Sequence, residues 1–287
     1  MAVGLRFTRG TQKPPMGAML NPEHPFCERL SFAIPFNEVG CIGANNAGDT
    51  FRSSILTVGA PSNTIINWGK PLTASIPLWK SNRDGPCLSI EDVNGMGKFP
   101  GNLGFPMTSQ ITMAFVRRKR SASLFGSQFL TTNEWPGVQT IELFYPFIDG
   151  NVYWRYGASE LSFSAAGALS NTNMQRGIVT AGPKGMNVWL NGVKIGSSAT
   201  IATRTFSPNA GAPVWLGNNA SENNGGDFQE LNWFQASSLQ WSDEMCRWWS
   251  AEPYAHLYVP QAARRYYFLD AAANQAGLLP SYTFLID

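Results

Sequence analysis

Charge is what this sequence has least of: Asp, Glu, Lys and Arg supply 14% of its 287 residues, against about 25% in an average soluble protein. Histidine is nearly missing, with only His24 and His256, and four cysteines (Cys27, Cys41, Cys87, Cys246) are scattered without a CxxC pair. No apolar run approaches the ~18 residues of a membrane span, and long segments of 3.6-residue periodicity are scarce. Each shortage excludes something. A net charge of +2 offers no general attraction to nucleic acid or to a membrane. Met1 to Gly10 carries two arginines and no apolar run, so no secretory leader is read there. Dispersed cysteines without a leader point to reduced thiols in a protein made in a cytoplasm. A surface short of charge must be built from Asn, Ser, Thr and Gly, which suits a turn-rich all-β protein or one that buries surface in an assembly.

Apolar residues, by contrast, reach 44%, with ten tryptophans, ample for one large all-β domain or two small ones. Turn signals recur every eight to fifteen residues, the spacing of a sandwich or barrel. In Ile111–Val116, Ile111, Met113 and Phe115 face one way and Thr112, Ala114 and Val116 the other. Val138 to Tyr145 reads as a strand with Ile141, Leu143 and Tyr145 on one face, and Asp149-Gly150 turns it into its hairpin partner, Val152–Tyr156. Asn191-Gly192 is the dipeptide of a type I′ turn, where both positions need positive φ. That register sets Leu190 opposite Val193 and Val188 opposite Ile195 on one face, with Trp189 and Lys194 on the other. Val214–Gly217 and Phe228–Phe234 are further strands around an Asn/Gly-rich loop.

One helix is expected. Ser242 is a good N-cap, Asp243 and Glu244 complement the helix dipole, and Pro253 closes the segment. Met245, Trp248 and Trp249 form its stripe, and Trp241 and Cys246 suit a hydrophobic staple. Leu30–Phe36 alternates, and Pro35 suggests an edge strand. With no internal repeat or linker, the expectation is a single domain over 1–269. It carries an N-terminal extension (1–29), a loop-rich insertion (44–86) and a C-terminal arm (270–287).

The order of these features resembles a known family. "MNVWLNGVKIGSS" (186–198) is followed by "PVWLGNN" (213–219), "GGDFQELNWFQASSLQWSDEMCRWWSAEP" (225–253) and "RRYYFL" (264–269). This looks like the C-terminal half of laminin-G-like, concanavalin-A-like jelly rolls, in which a "YVNG" hairpin precedes an "iG" strand and a helix beginning "LSDAEI". Upstream, "LSFAIPFNE" (30–38) and "PCLSIED" (86–92) sit at the family's early strands. The stretch "LQWSDEMCRWWSAEPYAHLYVP" resembles the version common in tailed-bacteriophage proteins. The match runs over roughly residues 25–270 and is specific between 186 and 253; Gln229-Glu230-Leu231 stands where the family has Ile-Asp-Asp.

The resemblance implies an all-β, concanavalin-A-like (laminin-G-like) jelly-roll β-sandwich with one short C-terminal amphipathic helix and an extended C-terminal arm. It also implies a non-enzymatic virion structural protein, a capsid decoration or a tail or fibre accessory at the virion surface. Its partners would be the major capsid protein or tail and fibre proteins, copies of itself in a symmetric homo-oligomer such as a trimer, and host surface glycans. A free carbohydrate-binding module is the alternative, and a glycan-degrading enzyme the third reading.

Candidate site residues follow from these readings. Glycoside hydrolases of this fold class carry E-x-D-x-x-E, whose two glutamates suit a retaining mechanism with about 5 Å between carboxyls; here Asp227 and Glu230 are present, but Gly225 stands at the nucleophile position. His24 and His256 lie in Pro-flanked stretches, without the partner groups that nucleophilic catalysis or zinc needs. No cofactor is expected. Laminin-G-like modules often carry Ca²⁺ at a loop rim, and Asp227 with Asn218, Asn219 and Asn223 offers oxygen ligands there. Trp135, Trp154 and Tyr156 suit stacking on sugars if exposed, with Asn218, Asn219 and Asp227 as polar contacts. The run Arg117-Arg118-Lys119-Arg120 is read as a strand end or as a docking patch for an acidic partner. Tyr282, Phe284 and Leu285 in the C-terminal arm suit strand addition to a neighbour.

Overall fold

The segment Ile111–Lys119 shows why this chain builds layers. Ile111, Met113 and Phe115 are buried on one side of the strand, and Thr112, Ala114 and Val116 are buried on the other. A strand apolar on both faces must be covered on both. The computed structural model describes residues 6–7, 10–13, 18–36, 55–57, 60–62, 67–68, 78–90, 97–99, 109–119, 128–132, 140–145, 149–157, 159–165, 172–199, 214–217 and 229–259.

In chain order the first strands are β1 (Arg6–Phe7), β2 (Met19–Leu20), β3 (Leu30–Ile34), β4 (Ile55–Thr57), β5 (Ala60–Ser62), β6 (Asn67–Trp68) and β7 (Leu78–Asn82). Next come β8 (Gly85–Ile90), β9 (Gly97–Phe99), β10 (Ile111–Lys119), β11 (Gln128–Thr132), β12 (Thr140–Phe144), β13 (Asn151–Gly157) and β14 (Ser159–Ser164). The last are β15 (Met174–Gly182), β16 (Gly185–Leu190), β17 (Val193–Ser198), β18 (Val214–Gly217), β19 (Gln229–Ser237), helix α1 (Asp243–Ala251) and β20 (Leu257–Val259). Among the described residues, a ten-stranded antiparallel sheet runs β17-β16-β15-β10-β19-β3-β4-β5, with the β7–β8 hairpin also joined to β19. A seven-stranded sheet runs β14-β13-β12-β11-β18-β9-β6, and a small third sheet runs β1-β20-β2.

The principal core lies between the two large sheets and includes Phe32, Phe115, Leu143, Trp154, Val188 and Phe234. Side-chain hydrogen bonds cross it, among them Trp154 Nε1 donating to the Thr180 carbonyl at 3.0 Å and Tyr145 Oη to the Trp189 carbonyl at 3.2 Å. Close approach needs missing side chains. A Cβ on Gly177 would stand 2.1 Å from the Phe115 ring, and one on Gly196 would stand 2.2 Å from Phe163.

A second core covers the outer face of the ten-stranded sheet, where Trp189 and Trp233 meet Phe26, Trp241, Trp249, Tyr254 and Leu257. Helix α1 begins as its sequence requires, with the Ser242 side chain accepting from the Met245 N–H at 3.2 Å. Gln235 Oε1 anchors the layer by accepting from Trp233 Nε1 at 2.7 Å and Trp249 Nε1 at 3.2 Å.

Three local expectations are corrected. The 188–195 hairpin has Asn191 and Gly192 at positive φ and pairs Leu190 with Val193, but a bulge sets Val188 opposite Gly196 rather than Ile195. Val188 and Leu190 are buried in the principal core and Ile195 packs against it, while Val193, paired with Leu190 at the hairpin end, is 62% exposed. β3 is not an edge strand, since it lies between β19 and β4 and stops one residue before Pro35. In α1 the buried positions are Cys246, Trp249 and Ser250, with Met245 partly buried against them and Trp248 41% exposed. The stripe therefore runs one residue over from the expected one.

Candidate functional site

Period-two alternation in β12, β13 and β14 divides their side chains cleanly. Ile141, Leu143, Val152, Trp154, Tyr156 and Leu161 enter the core. Glu142, Phe144, Tyr153, Arg155 and Glu160 take the opposite face, away from the ten-stranded sheet. Pairing registers then line them up: Glu142 stands beside Arg155 and Arg155 beside Glu160, while Phe144 stands beside Tyr153. The backbone register from Glu142 continues across the sheet through Thr131, Trp215, Lys98 and Asn67.

Arg155 is the hinge of this face. Its Nη1 donates to Glu142 Oε2 at 2.6 Å, and its Nε donates to Glu160 Oε2. Its guanidinium stands 6.0 Å from the Phe144 ring centroid and 5.7 Å from that of Tyr153, within cation–π reach. Partial burial would lower the Arg155 pKa, but its hydrogen bonds to both glutamates and their negative charges outweigh it and hold the pKa above the ordinary value. The Phe144 and Tyr153 rings meet edge to face at 6.1 Å.

The β12–β13 turn completes the arrangement. Gly150 has a φ of 82°, a left-handed conformation that favours glycine. Asp149 Oδ2 accepts from Tyr153 Oη at 2.5 Å, and Oδ1 accepts from the Asn151 backbone N–H at 2.8 Å. Desolvation of Asp149, which would raise its pKa, is outweighed by these bonds, and the carboxyl sits below its ordinary value. The result is a half-exposed aromatic ring braced from beneath by a turn carboxylate and flanked by an ion triad. Carboxylate oxygens beside an aromatic ring can accept hydroxyl protons while the ring takes an apolar C–H face.

The residues expected from sequence to serve a ligand fall elsewhere. Trp154 and Tyr156 are buried, their rings 6.0 Å apart in the principal core; they share the inward register of β13 and cannot stack on a sugar. The basic run is split by strand alternation. Arg117 and Lys119 point inward and are fully buried. Arg117 donates to Gln175 Oε1 at 3.1 Å, to Gln229 Oε1 at 3.3 Å and to the Tyr145 carbonyl, with its guanidinium 4.7 Å over the Tyr145 ring. Of the three described residues of the run, Arg118 is the one that faces outward, and its Nη2 is bonded to Glu230 Oε1 at 2.8 Å. These three residues therefore make no common docking patch. Trp135, Asn218, Asn219, Asn223, Gly225, Asp227, Arg120, Tyr282, Phe284 and Leu285 lie outside the described residues.

Other titratable groups among the described residues are held in packing and hydrogen-bond contacts. Glu230 is buried and also accepts from Asn82 Nδ2 at 2.8 Å. His24 Nδ1 accepts from the Phe26 N–H at 3.2 Å, capping a short 3-10 turn. His256 is fully buried among rings, 5.4 Å from Trp233 and 5.8 Å from Phe26. Cys27, Cys87 and Cys246 are buried, and desolvation pushes the Cys27 and Cys246 thiols up to about 12. Among the described residues no group of three or more His, Cys, Asp or Glu converges to hold a metal, and no helix is long and apolar enough to cross a membrane.

Sequence reasoning passed over Tyr153, Arg155, Glu142, Glu160 and Asp149. The signal was present, as the complement of the apolar face of the same hairpin. The aromatic residues of the inward set drew attention first.

No family model matches this chain, and no curated protein matches it in sequence. Solved structures do resemble it in shape. The binding domain of Paraclostridial Mosquitocidal Protein 1 superposes with a TM-score of 0.53 at 14% identity, over 77% of this chain and 52% of that one. The receptor binding domain of botulinum neurotoxin D gives 0.50 at 13%, over 78% and 53%. Trypanosoma rangeli sialidase in complex with sialic acid gives 0.52 at 12%, over 77% and 32%. This chain thus spans about half the length of the two toxin binding domains and a third of the sialidase. Likeness at such identities shows the fold: an all-β jelly-roll sandwich of the concanavalin-A-like class.

Proposed function

We propose that this protein is a non-enzymatic binding module that engages glycans on the outer face of its seven-stranded sheet. The observation that carries the reading is the half-exposed Tyr153 ring, backed edge to face by the buried Phe144 ring, beside the Arg155–Glu142–Glu160 triad on one sheet face. Ligand sites of this kind combine an aromatic surface with a few placed polar groups. The toxin binding domains and the sialidase share the sandwich, which is compatible with recognition but leaves the ligand to the site residues themselves. The absence of catalysis is part of the proposal: Glu230 is engaged by Arg118 and Asn82, and the thiols of Cys27 and Cys246 are held protonated.

Calorimetric titration of the full chain against a panel of oligosaccharides tests the reading. Saturable binding is expected, weakened about tenfold or more by Tyr153→Ala, the loss of a central contact, with the melting temperature little changed. Binding that ignores Tyr153→Ala would overturn it.

The second reading concerns where such a module works. The resemblance of residues 239–260 to the version common in tailed-phage jelly rolls supports a place on a virion, as a capsid decoration or a tail or fibre accessory. Co-sedimentation with purified virions of its source at a fixed copy number is expected on that reading. A protein that stays in the supernatant would leave a free carbohydrate-binding module.

A further inference from the structure

The chain's two histidines meet in one seam, where residues 18–27 dock against α1 and β20. Their rings lie 6.1 Å apart, and both are built in as neutral imidazoles. His24 Nδ1 caps the 3-10 turn Pro25–Cys27 by accepting from the Phe26 N–H at 3.2 Å. A proton on that nitrogen turns the acceptor into a donor facing a donor. His256 is fully buried, edge to face with Phe26 at 5.8 Å and with Trp233 at 5.4 Å. Neither of its nitrogens has a hydrogen-bond partner among the described residues. An imidazolium there would hold two N–H donors without an acceptor beside a second histidine, whereas a ring released to water escapes both penalties.

The other ionisable groups of the seam do not offset this. Glu252, at the C-cap of α1, favours a proton on His24, against the larger effect of burial. Burial keeps the Cys27 and Cys246 thiols protonated and pushes the Tyr254 hydroxyl up, so none of the three carries charge. Asp84 and Arg176 act with opposite sign on Tyr254, and Glu23, Glu28 and Arg29 flank the turn exposed to solvent. The seam also has short ties and a hinge. Two-residue pairings join β1 and β2 to β20, the Asn21 N–H donates to the His256 carbonyl at 2.8 Å, and the Tyr254 N–H donates to the Gly10 carbonyl at 2.9 Å. Arg29, where the segment meets β3, has a φ of 50°, a left-handed conformation unusual for a residue with a side chain. Ser237 Oγ and the Ser238 N–H hold its carbonyl at 3.1 and 3.0 Å, so the segment before it can swing while β3 stays paired.

We propose that this seam is an acid-operated latch, in which protonation of His256, aided by His24, releases residues 18–27 from α1 and β20 while the sandwich stays folded. Opening uncovers the aromatic layer around Trp233 and Trp241. Burial, reinforced by His24, holds His256 at about 3 against the ordinary 6.5 that it regains in the open seam. The closed seam is therefore favoured above pH 6.5 and weakens about tenfold for each unit as pH falls from there toward 3.

Amide hydrogen exchange on the full chain at pH 7.5 and pH 5, corrected for intrinsic rates, tests the latch. Peptides covering 19–27 and 254–259 should lose about thirty-fold in protection over that interval, exchange well ahead of β10, and respond little to low urea, as a local opening does. Exchange of those peptides in step with β10, with the same urea dependence, would overturn the proposal, because the seam then opens only with the whole fold. Imidazole NMR of the unaltered protein, with two histidines to resolve, gives a second arm. His256 taking up a proton near pH 6.5 while the seam stays protected would overturn the latch equally. His256→Phe should reduce the acid effect to a few-fold or less. His24→Asn, which keeps a capping acceptor that cannot be protonated, should leave most of it. An acid effect undiminished in His256→Phe would remove the buried imidazole as its trigger and the latch with it.

Discussion

The imidazole rings of His24 and His256 lie 6.1 Å apart, and neither ring nitrogen of His256 has a hydrogen-bond partner. Both belong to the layer that ties the N-terminal segment to α1 and β20. Burial, reinforced by the neighbouring His24, lowers the His256 pKa from 6.5 to about 3. Burial also lowers that of His24, against the opposing pull of Glu252.

A pKa lower in the folded than in the unfolded chain means that the unfolded chain binds the extra proton first. The contribution of His256 to stability is therefore full above pH 6.5 and is lost as pH falls from 6.5 toward 3, by about 1.4 kcal/mol for each unit. Denaturant melts between pH 7 and pH 4.5 should show this decline, and His256→Phe should flatten it. An identical slope in that variant would remove His256 as its source.

Trp154 separates a core role from a ligand role. Trp154→Ala should cost about 3–5 kcal/mol of stability, because the indole is fully buried and its hydrogen bond to the Thr180 carbonyl crosses the sandwich. Trp154→Phe keeps most of the volume and should cost less. Chemical denaturation measures both, and a Trp154→Ala protein as stable as the parent would contradict the described core.

Gly177 is a steric requirement. A methyl group there would stand 2.1 Å from the Phe115 ring, so Gly177→Ala should destabilise by about 1–3 kcal/mol through overpacking. Adding Phe115→Leu should recover part of the loss. If the double variant shows only the sum of the two single losses, the two sites are not coupled.

The thiols of Cys27 and Cys246 should be inert in the native protein, since desolvation holds both near 12 and the thiolate is the reactive form. Alkylation at pH 8 followed by peptide mass analysis should modify them only after denaturant is added. Rapid native labelling at either position would place that thiol outside the core.

Much of the local structure was legible from sequence because it is set by neighbours along the chain. Alternation in Ile111–Val116 placed the right residues on each face, Asn191-Gly192 marked its turn, and Ser242 marked the start of the helix. The β12–β13 pairing was also readable from its two apolar sets and the Asp149-Gly150 turn.

What only the tertiary structure decided is which face meets which layer. β10 became central, so Arg117 and Lys119 were buried instead of exposed. Register on three adjacent strands assembled Glu142, Arg155 and Glu160, residues dispersed over 142–160. The slip at Val116/Arg117 arose from pairing with β19, more than a hundred residues away in sequence, whereas the bulge at Val188/Trp189 lies within the local β16–β17 hairpin. Sequence periodicity fixes the alternation within one strand, whereas strand order comes from non-local packing and bulges from the pairing itself, and a one-residue slip there exchanges the two faces.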